Sequence, residues 1–245
     1  MMINKKQLKK AETSEENEYM DVRPEEMEKE SFAIITRELH NRKIRISYEQ
    51  APVILRCIHT SADFEYAGSL RFSKNVISLA NEALLAGSKI ITDTRMGYSG
   101  INRAAVKNSG GELHCDMDDL EVAAEARLRG LSRAAVSMER ACEEALLLQQ
   151  NADSRPFIFA IGNAPAALLA LDALMNENEK FRPALVIAVP VGFVNVVYAK
   201  ETIQDTMDRL RIPYILASGR KGGSNIAAAI VNALLFQVKN QTPKR

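Results

Sequence analysis

The sequence predicts a single α/β domain, in which helices flank a doubly wound parallel sheet and a helical segment precedes that sheet. Short, continuous apolar runs such as residues 157–161 suit strands that are buried on both faces, as the strands of parallel sheets are. Longer stretches with helical periodicity alternate with these runs, which is the pattern of an α/β fold. The 245 residues contain no repeat and no linker that would divide the chain.

The N-terminal part of the chain is predicted to be helical after a charged extension. Residues 1–20 are polar, and no hydrophobic face can be drawn on them. We therefore expect a flexible extension ahead of one domain that spans residues 21–245. A first helix is expected over residues 24–39, because proline is favoured in the first turn of a helix. A second helix is expected over residues 48–61.

Strands and helices then alternate through the rest of the chain. Gly87 is a good C-terminal stop for the first helix of this part, and Ser132 suits the N-cap of the third. The apolar runs predict strands at residues 90–92, 157–161, 185–189 and 214–217. The periodic stretches predict helices at residues 74–86, 119–128, 132–150, 164–175, 195–210 and 224–238.

Composition and charge argue against several classes of protein. The formal net charge is +1, so no global field attracts the protein to nucleic acid or to a membrane, and any anion site must be local. The sequence has no apolar run of about 18 residues and no signal-peptide pattern, which predicts a soluble protein of the cytoplasm. The three cysteines, Cys57, Cys115 and Cys142, form no Cys-x-x-Cys pair and suit the same reducing compartment.

The loops that follow the apolar strands are the first candidates for a binding site. In doubly wound sheets, ligands bind beyond the carboxyl ends of the strands. This rule selects four loops, at residues 93–97, 162–165, 190–193 and 219–224. Candidate binding residues in the first three loops are Asp93, Met96, Asn163 and Gly192.

The fourth loop opens the last helix with Gly222, Gly223 and Ser224, which are also candidate binding residues. Glycines let the backbone approach a ligand closely, and a helix N-terminus offers free N–H donors to an anion. The same residues also suit a plain tight turn, so both interpretations stay open on this pattern alone. The residue order is not that of a Walker loop, and no Gly-x-Gly-x-x-Gly follows a strand, which argues against a nucleotide site.

His59 is the candidate for acid–base chemistry. It follows the apolar residues of the second helix and is therefore expected to be at least partly buried. Imidazole can both give and take a proton near neutral pH. Asp63 comes four residues later, one helical turn on if the helix continues, and is then placed to fix the tautomer of the ring. A structural histidine satisfied by the backbone is the alternative, and the local pattern alone favours it.

Two further patterns suggest anion or metal binding. Arg129 and Arg133 flank the cap of a helix, and a guanidinium matches a carboxylate, although most surface arginines are only solvated. His114, Cys115 and Asp116 are consecutive, but neighbouring strand residues point to opposite faces and no second His or Cys cluster completes a ligand set. We therefore expect no protein-bound metal.

Five stretches of the sequence form a common signature. They are residues 30–35 (Glu-Ser-Phe-Ala-Ile-Ile), 56–67 (Arg-Cys-Ile-His-Thr-Ser-Ala-Asp-Phe-Glu-Tyr-Ala), 162–165 (Gly-Asn-Ala-Pro), 189–194 (Val-Pro-Val-Gly-Phe-Val) and 219–225 (Gly-Arg-Lys-Gly-Gly-Ser-Asn). In their order and approximate spacing, these stretches resemble the signature of the precorrin-8X methylmutases, also called cobalt-precorrin-8 methylmutases, of the corrin (cobalamin, vitamin B12) pathway. Three features depart from the family pattern: Arg23 precedes Pro24, where the family often has His-Pro, residues 1–20 have no counterpart, and the loop at 93–97 matches only at Asp93 and Met96.

The resemblance implies a flavodoxin-like or Rossmann-like fold and an isomerase activity. Such an enzyme moves a methyl group from C-11 to C-12 of precorrin-8X or its cobalt form, giving hydrogenobyrinic or cobyrinic acid, with no cofactor and no external methyl donor. The resemblance makes His59 the general acid and base, and it places Ser31 and Arg133 in the substrate pocket. It also implies a homodimer with the active-site cleft near the interface.

The implied substrate is a large, flat tetrapyrrole with several carboxylates. Local arginines and backbone donors suit such a ligand in a chain of near-zero net charge, and Met96 and Phe193 are candidates for an apolar wall. Two alternatives remain at this point. One is a tetrapyrrole-binding carrier that does no chemistry, and the other is an acid–base enzyme that acts on a different polycarboxylate.

Overall fold

The computed structural model describes Arg23 and residues 26–150 and 155–241, with only the backbone of residues 149, 150, 240 and 241. The predicted extension at residues 1–20 and Pro24 lie outside the described residues. Within the described part, six strands form one sheet. The strands are β1 Leu70–Phe72, β2 Lys89–Thr92, β3 Glu112–His114, β4 Phe157–Ile161, β5 Leu185–Ala188 and β6 Tyr214–Ala217.

The sheet is doubly wound and almost wholly parallel. Its strand order is β1-β6-β5-β4-β2-β3, and every neighbouring pair is parallel except β1 with β6. Numbered among themselves, the five parallel strands have the order 2-1-3-4-5 of flavodoxin-like folds, with the switch point between β2 and β4. The predicted fold class is therefore confirmed, with one addition: the short strand β1 extends the sheet as an antiparallel edge.

Helices cover both faces of the sheet. Two of the three helices that precede the first strand, α1 and α2, confirm the predicted helical N-terminal segment. The helices are α1 Met27–Asn41, α2 Ala51–Ser61, α3 Tyr66–Ser69, α4 Val76–Leu85, α5 Arg95–Gly100, α6 Arg103–Asn108, α7 Leu120–Arg129, α8 Arg133–Gln150, α9 Pro165–Glu177, α10 Val196–Leu210 and α11 Ser224–Gln241.

The central strands are buried on both faces, and their side chains pack into two separate hydrophobic cores. In β4, Ile158 packs into a core with α1, α2, α4 and α11, whereas its neighbour Phe159 packs on the other face with α8, α9 and α10. Both side chains are at most 1% exposed. This arrangement explains the continuous apolar runs of the sequence, because alternate residues point to opposite faces that are both covered.

The short elements are the ones that the sequence did not reveal. Helices α3, α5 and α6 and strands β1 and β3 have between three and six residues each, too few to show a hydrophobic period. Local caps hold two of them: Thr94 Oγ1 accepts from Gly97 N at the start of α5, and Asn102 Oδ1 accepts from Ala105 N at the start of α6. Over the described residues, none of the helices is both long and apolar enough to cross a membrane.

Candidate active site at the carboxyl edge of the sheet

The four loops selected from the sequence meet at one edge of the sheet, because the strands they follow are parallel. Backbone hydrogen bonds join them into one surface. Gly223 N donates to Val189 O at 2.9 Å, Val191 N donates to Gly162 O at 3.3 Å, and Gly192 N donates to Arg220 O at 3.2 Å. The loops after β4, β5 and β6 therefore form a connected floor.

Asp93 follows β2 and connects its loop to the same floor. Its carboxylate accepts hydrogen bonds from the backbone N–H groups of Gly162, Asn163 and Ala164 at 2.9, 2.8 and 2.7 Å. The side chain is 1% exposed; burial raises the pKa of Asp93, while the three N–H donors act in the opposite direction. Asp93 thus spans the switch point between β2 and β4. Its burial and its partners suit a positioning role, and the substrate contact that the sequence suggests stays a prediction.

The glycines of the floor are needed because backbone segments approach each other closely. A Cβ on Gly162 would lie 2.5 Å from the Cα of Ser224, and a Cβ on Gly222 would lie 2.1 Å from the carbonyl oxygen of Val189. The hydroxyl of Ser224 is 2.7 Å from that of Thr94, which adds a contact between the first loop and the last. The tight turn expected at Gly222 and Gly223 is therefore present in the structure, and the role of these residues in ligand binding stays a prediction.

Exposed apolar side chains surround the floor. Met96 is 70% exposed and Phe193 is 83% exposed, as expected for the predicted wall, and Val194 adds a third apolar side chain. The guanidinium of Arg220 lies 5.6 Å from the centre of the Phe193 ring. The side chain of Asn163 is also exposed, beside the loop that Asp93 holds.

An ion pair connects the floor with the segment that follows α2. Lys221 Nζ lies 2.6 Å from an oxygen of Asp63 and 2.7 Å from one of Glu65. Lys221 holds the pKa of Asp63 below its usual range. The predicted pairing of Asp63 with His59 is wrong, because α2 ends at Ser61 and Ala62 adopts a left-handed conformation with φ of 54°. Asp63 consequently leaves the helix and faces Lys221.

His59 lies in the last turn of α2 and is exposed, so the predicted partial burial is wrong. The buried face of α2 is formed by Val53, Ile54, Cys57 and Ile58. His59 comes one residue after that face, about 100° further round the helix. Its ring makes an edge contact with Phe32 of α1, with a centroid distance of 5.3 Å and an interplanar angle of 73°. The imidazole is therefore open to a ligand.

Ser31 lies on α1, the helix whose Phe32 contacts His59. It precedes Phe32, and its hydroxyl donates to the carbonyl oxygen of Met27 at 2.7 Å. Arg56 also stacks on Phe32, with 5.3 Å from Cζ to the ring centre, and pairs with Glu28 at 2.8 Å. The structure thus brings Ser31 and His59 to one region, where α1 packs against α2.

Arg133 lies at the other end of the same edge. It begins α8, is exposed, and donates from Nη1 to the carbonyl oxygen of Met117 at 2.9 Å, just beyond β3. Strands β6 and β3 are four strand spacings apart, roughly 19 Å at ~4.8 Å per spacing. Arg133 and the Lys221 ion pair are therefore too far apart to hold one small group, although a wide ligand spans such a distance.

Metal-binding residues do not cluster in the described part of the chain. No three His, Cys, Asp or Glu side chains converge there. His114 Nε2 instead approaches Glu112 at 3.2 Å, and Cys115 is a free thiol. The absence of a metal in the working protein stays a prediction.

Lys200 is the functional candidate that the sequence analysis missed. Its side chain is 1% exposed, and Nζ donates to the carbonyl oxygens of Gly219 and Lys221 at 2.8 Å each. The signal was available in the sequence, because Lys200 lies four residues after Val196 and three before Ile203 on the buried face of α10. A lysine on an apolar helix face must have a specific acceptor.

Comparisons of the sequence and of the structure with known proteins point to one family. The profile of the precorrin-8X methylmutase family matches residues 26–237. The cobalt-precorrin-8 methylmutase of Priestia megaterium is 38% identical over 215 residues, which are 88% of this chain and 88% of the relative. The precorrin-8X methylmutase of Pseudomonas aeruginosa is 34% identical over 206 residues, or 84% and 92% of the two chains. The crystal structure of precorrin-8X methylmutase from Thermus thermophilus has a TM-score of 0.73 at 32% identity, covering 88% of this chain and 98% of that one.

The matched range contains every candidate residue, from Ser31 on α1 to Ser224 at the start of α11. Methylmutases are isomerases, since they move a methyl group within one molecule. This chain therefore belongs to the precorrin-8X methylmutase family, a family of isomerases in cobalamin biosynthesis.

Proposed function

We propose that this protein moves the methyl group at C-11 of precorrin-8X or cobalt-precorrin-8 to C-12, which yields hydrogenobyrinic or cobyrinic acid. The observation that carries this proposal is the family match over residues 26–237, which includes His59 and all the loops of the floor. Isomerisation neither oxidises nor reduces the substrate overall. The chain's own residues therefore need only bind the ring, hold one conformation of it and move a proton.

In this proposal His59 protonates a nitrogen of the conjugated ring and later takes the proton back. Protonation draws electron density out of the conjugated system and eases the shift of the methyl group. The exposed position of His59 in the last turn of α2 supports the assignment, because a ligand can reach the imidazole without any displacement of the core. General acid–base catalysis of this kind accelerates a reaction by about 10²–10⁴-fold.

The floor and its rim suit a broad, flat polycarboxylate. Met96, Phe193 and Val194 offer an exposed apolar surface next to the loops. Arg220 and Arg133 are placed to meet carboxylates at separate points of the rim, since they follow β6 and β3, respectively. Backbone donors at the loops add neutral partners.

The decisive experiment is turnover of the purified protein with both the metal-free and the cobalt form of the substrate, followed by absorption spectroscopy. Formation of hydrogenobyrinic or cobyrinic acid supports the proposed reaction. Binding of either product without turnover of either substrate would instead favour a non-catalytic tetrapyrrole carrier. Failure to bind any corrinoid would favour an acid–base enzyme for another polycarboxylate.

We also propose that the protein acts in the cytoplasm as a homodimer. The three free thiols, Cys57, Cys115 and Cys142, suit a reducing compartment. Two adjoining grooves of about 710 and 1210 Å³ lie between α1, α2, α4 and α11, and α6 also lines the smaller one. Leu85 and Phe236 line both grooves and are each 52% exposed. A second copy that covers this face would remove that apolar surface from water.

Sedimentation equilibrium at micromolar concentration is expected to give twice the chain mass of 27.1 kDa. Phe236→Asp should shift the protein towards monomer, because it places a charge in the apolar groove. Leu128→Asp is the matched control, since Leu128 is 87% exposed on α7, away from the groove. A stable wild-type monomer would contradict the dimer, and a wild-type dimer that persists in Phe236→Asp would place the interface elsewhere.

Arg133→Ala is expected to weaken binding of the corrin product by about 1.5–3 kcal/mol, the usual contribution of a hydrogen bond to a charged group. Fluorescence or absorption titration with hydrogenobyrinic acid measures the change. Arg129→Ala is the matched control, because Arg129 already pairs with Glu125 and Glu139 and is not expected to contact the ligand. Unchanged affinity in Arg133→Ala would remove Arg133 from the site.

A further inference from the structure

A buried lysine lies directly behind the rim of the candidate site. Lys200, in the second turn of α10, donates hydrogen bonds to the carbonyl oxygens of Gly219 and Lys221 at 2.8 Å each. Its side chain is 1% exposed, so the ammonium does not use bulk water to satisfy its charge. Burial lowers the pKa of Lys200 to about 8, so the group still carries its proton at neutral pH.

The two acceptors are the residues on either side of Arg220, so the ammonium fixes the backbone of that arginine. The carbonyl oxygen of Arg220 accepts in turn from Gly192 N at 3.2 Å, which ties the arginine to the loop after β5. The guanidinium then lies 5.6 Å from the centre of the exposed ring of Phe193. Two hydrogen bonds from Lys200 and one from Gly192 thus fix the backbone around Arg220, and its guanidinium lies over the Phe193 ring.

The charge of Arg220 is not neutralised by the described residues. Its neighbour Lys221 pairs with Asp63 and Glu65, and Arg95 across the edge pairs with Asp118 at 2.9 Å. For Arg220 the described part of the chain supplies the Phe193 ring but no carboxylate. An exposed guanidinium, stacked on an aromatic ring and held in place from behind, is arranged to receive a carboxylate from a ligand.

We propose that Arg220 binds a carboxylate of the substrate and that Lys200 is the positioning residue that holds Arg220 for this contact. The inference rests on the proposed function, since it takes the ligand to be the polycarboxylate tetrapyrrole. Lys200 does not touch the substrate; it acts through the backbone of residues 219–221. Arg220 determines affinity and orientation and takes no part in proton transfer.

The test is a double-mutant cycle with Arg220→Gln and Lys200→Met in steady-state turnover. Arg220→Gln is expected to raise KM by about 10- to 100-fold, the effect of losing a hydrogen bond between charged groups, and to change kcat by less than about threefold. Lys200→Met keeps the length of the side chain but removes the ammonium, and it should raise KM to a similar extent. Because both act on one contact, the double variant should have a KM close to that of Arg220→Gln alone.

Ile203→Ala is the matched control for general damage to α10. Ile203 lies one turn further along the same buried face, and its apolar side chain packs in the core that α10 shares with β5 and β6. It should lower the melting temperature and leave KM unchanged. Should Lys200→Met not fold, Lys200→Gln, whose side chain is uncharged and shorter than that of lysine, takes its place in the cycle. Arg220→Gln, an exposed change, still tests the carboxylate contact.

Two results would overturn the inference in an active enzyme. An unchanged KM in Arg220→Gln would remove the carboxylate contact, and multiplicative effects of the two substitutions on KM would show that Lys200 does not act through Arg220. Failure of the proposed function looks different, because the wild-type protein would then turn over neither form of the substrate.

Discussion

Replacing His59 with alanine is expected to leave a folded protein that binds the corrin product but turns over its substrate about 10²–10⁴-fold more slowly. Because His59 is exposed, the effect of this substitution on activity can be separated from its effect on stability. Its removal opens no cavity in the core, and the lost edge contact with Phe32 corresponds to only about 0.5–1.5 kcal/mol. The loss of activity should therefore far exceed the loss of stability. The measurements are turnover, product binding and thermal melting of wild type and variant.

The two other roles for His59 predict different results. A purely structural histidine would lower the melting temperature together with activity. An axial ligand to substrate cobalt would affect only turnover of the cobalt form. His40→Ala is the matched control, since His40 is an exposed histidine in the last turn of α1 and lies outside the proposed site. Near-wild-type turnover of the metal-free substrate by His59→Ala would end the acid–base assignment.

The pH dependence of kcat can be interpreted because the nearby ion pair does not titrate near neutrality. Lys221 lowers the pKa of Asp63, so the stabilisation of this carboxylate is present above its unfolded pKa and is lost as pH falls through the lowered value. Asp63 and Glu65 raise the pKa of Lys221, so that contribution is present below its unfolded pKa and is lost as pH rises through the raised value. Between about pH 5 and pH 9 the ion pair is therefore constant.

Local patterns in the sequence predict the strands, whereas contacts between residues far apart in the sequence could not be predicted. Residues 157–161 and 214–217 were predictable as strands because burial on both faces leaves a continuous apolar run. The edge location of the loops followed from the same pattern together with the parallel topology. The hydrogen-bond partners of the loop residues were not predictable. The carboxylate of Asp93, for example, accepts hydrogen bonds from backbone N–H groups that lie 69 to 71 residues later in the sequence.

The errors around His59 have a local cause. The apolar residues before His59 correctly indicated a buried face of α2. Because only one side of this helix is covered, Ile58 is buried whereas the next residue, His59, is exposed. The left-handed Ala62 then turned the chain, which removed Asp63 from the helix. A non-glycine residue in that conformation is uncommon, so the end of the helix at Ala62 could not be predicted from the sequence. The resemblance identified the family correctly without depending on either detail.

Asp93→Asn is expected to destabilise the protein and to reduce its affinity for substrate at the same time. The amide presents one acceptor oxygen and one N–H₂ group to three backbone N–H donors, so at least one donor loses its partner. Each buried N–H left without an acceptor costs about 1–3 kcal/mol. The loop at Gly162 packs against Ser224, so its displacement should disturb the floor and raise KM.

Urea denaturation and steady-state kinetics on the same preparation test this expectation. Asp116→Asn is the matched control, because the carboxylate of Asp116 accepts one hydrogen bond, from Ser137 at 3.2 Å, and an amide oxygen replaces that acceptor. The control should change stability by less than about 1 kcal/mol. If Asp93→Asn kept wild-type stability and still lost substrate affinity, the carboxylate would contact the substrate directly, as the sequence suggests, and the positioning role that its burial indicates would be wrong.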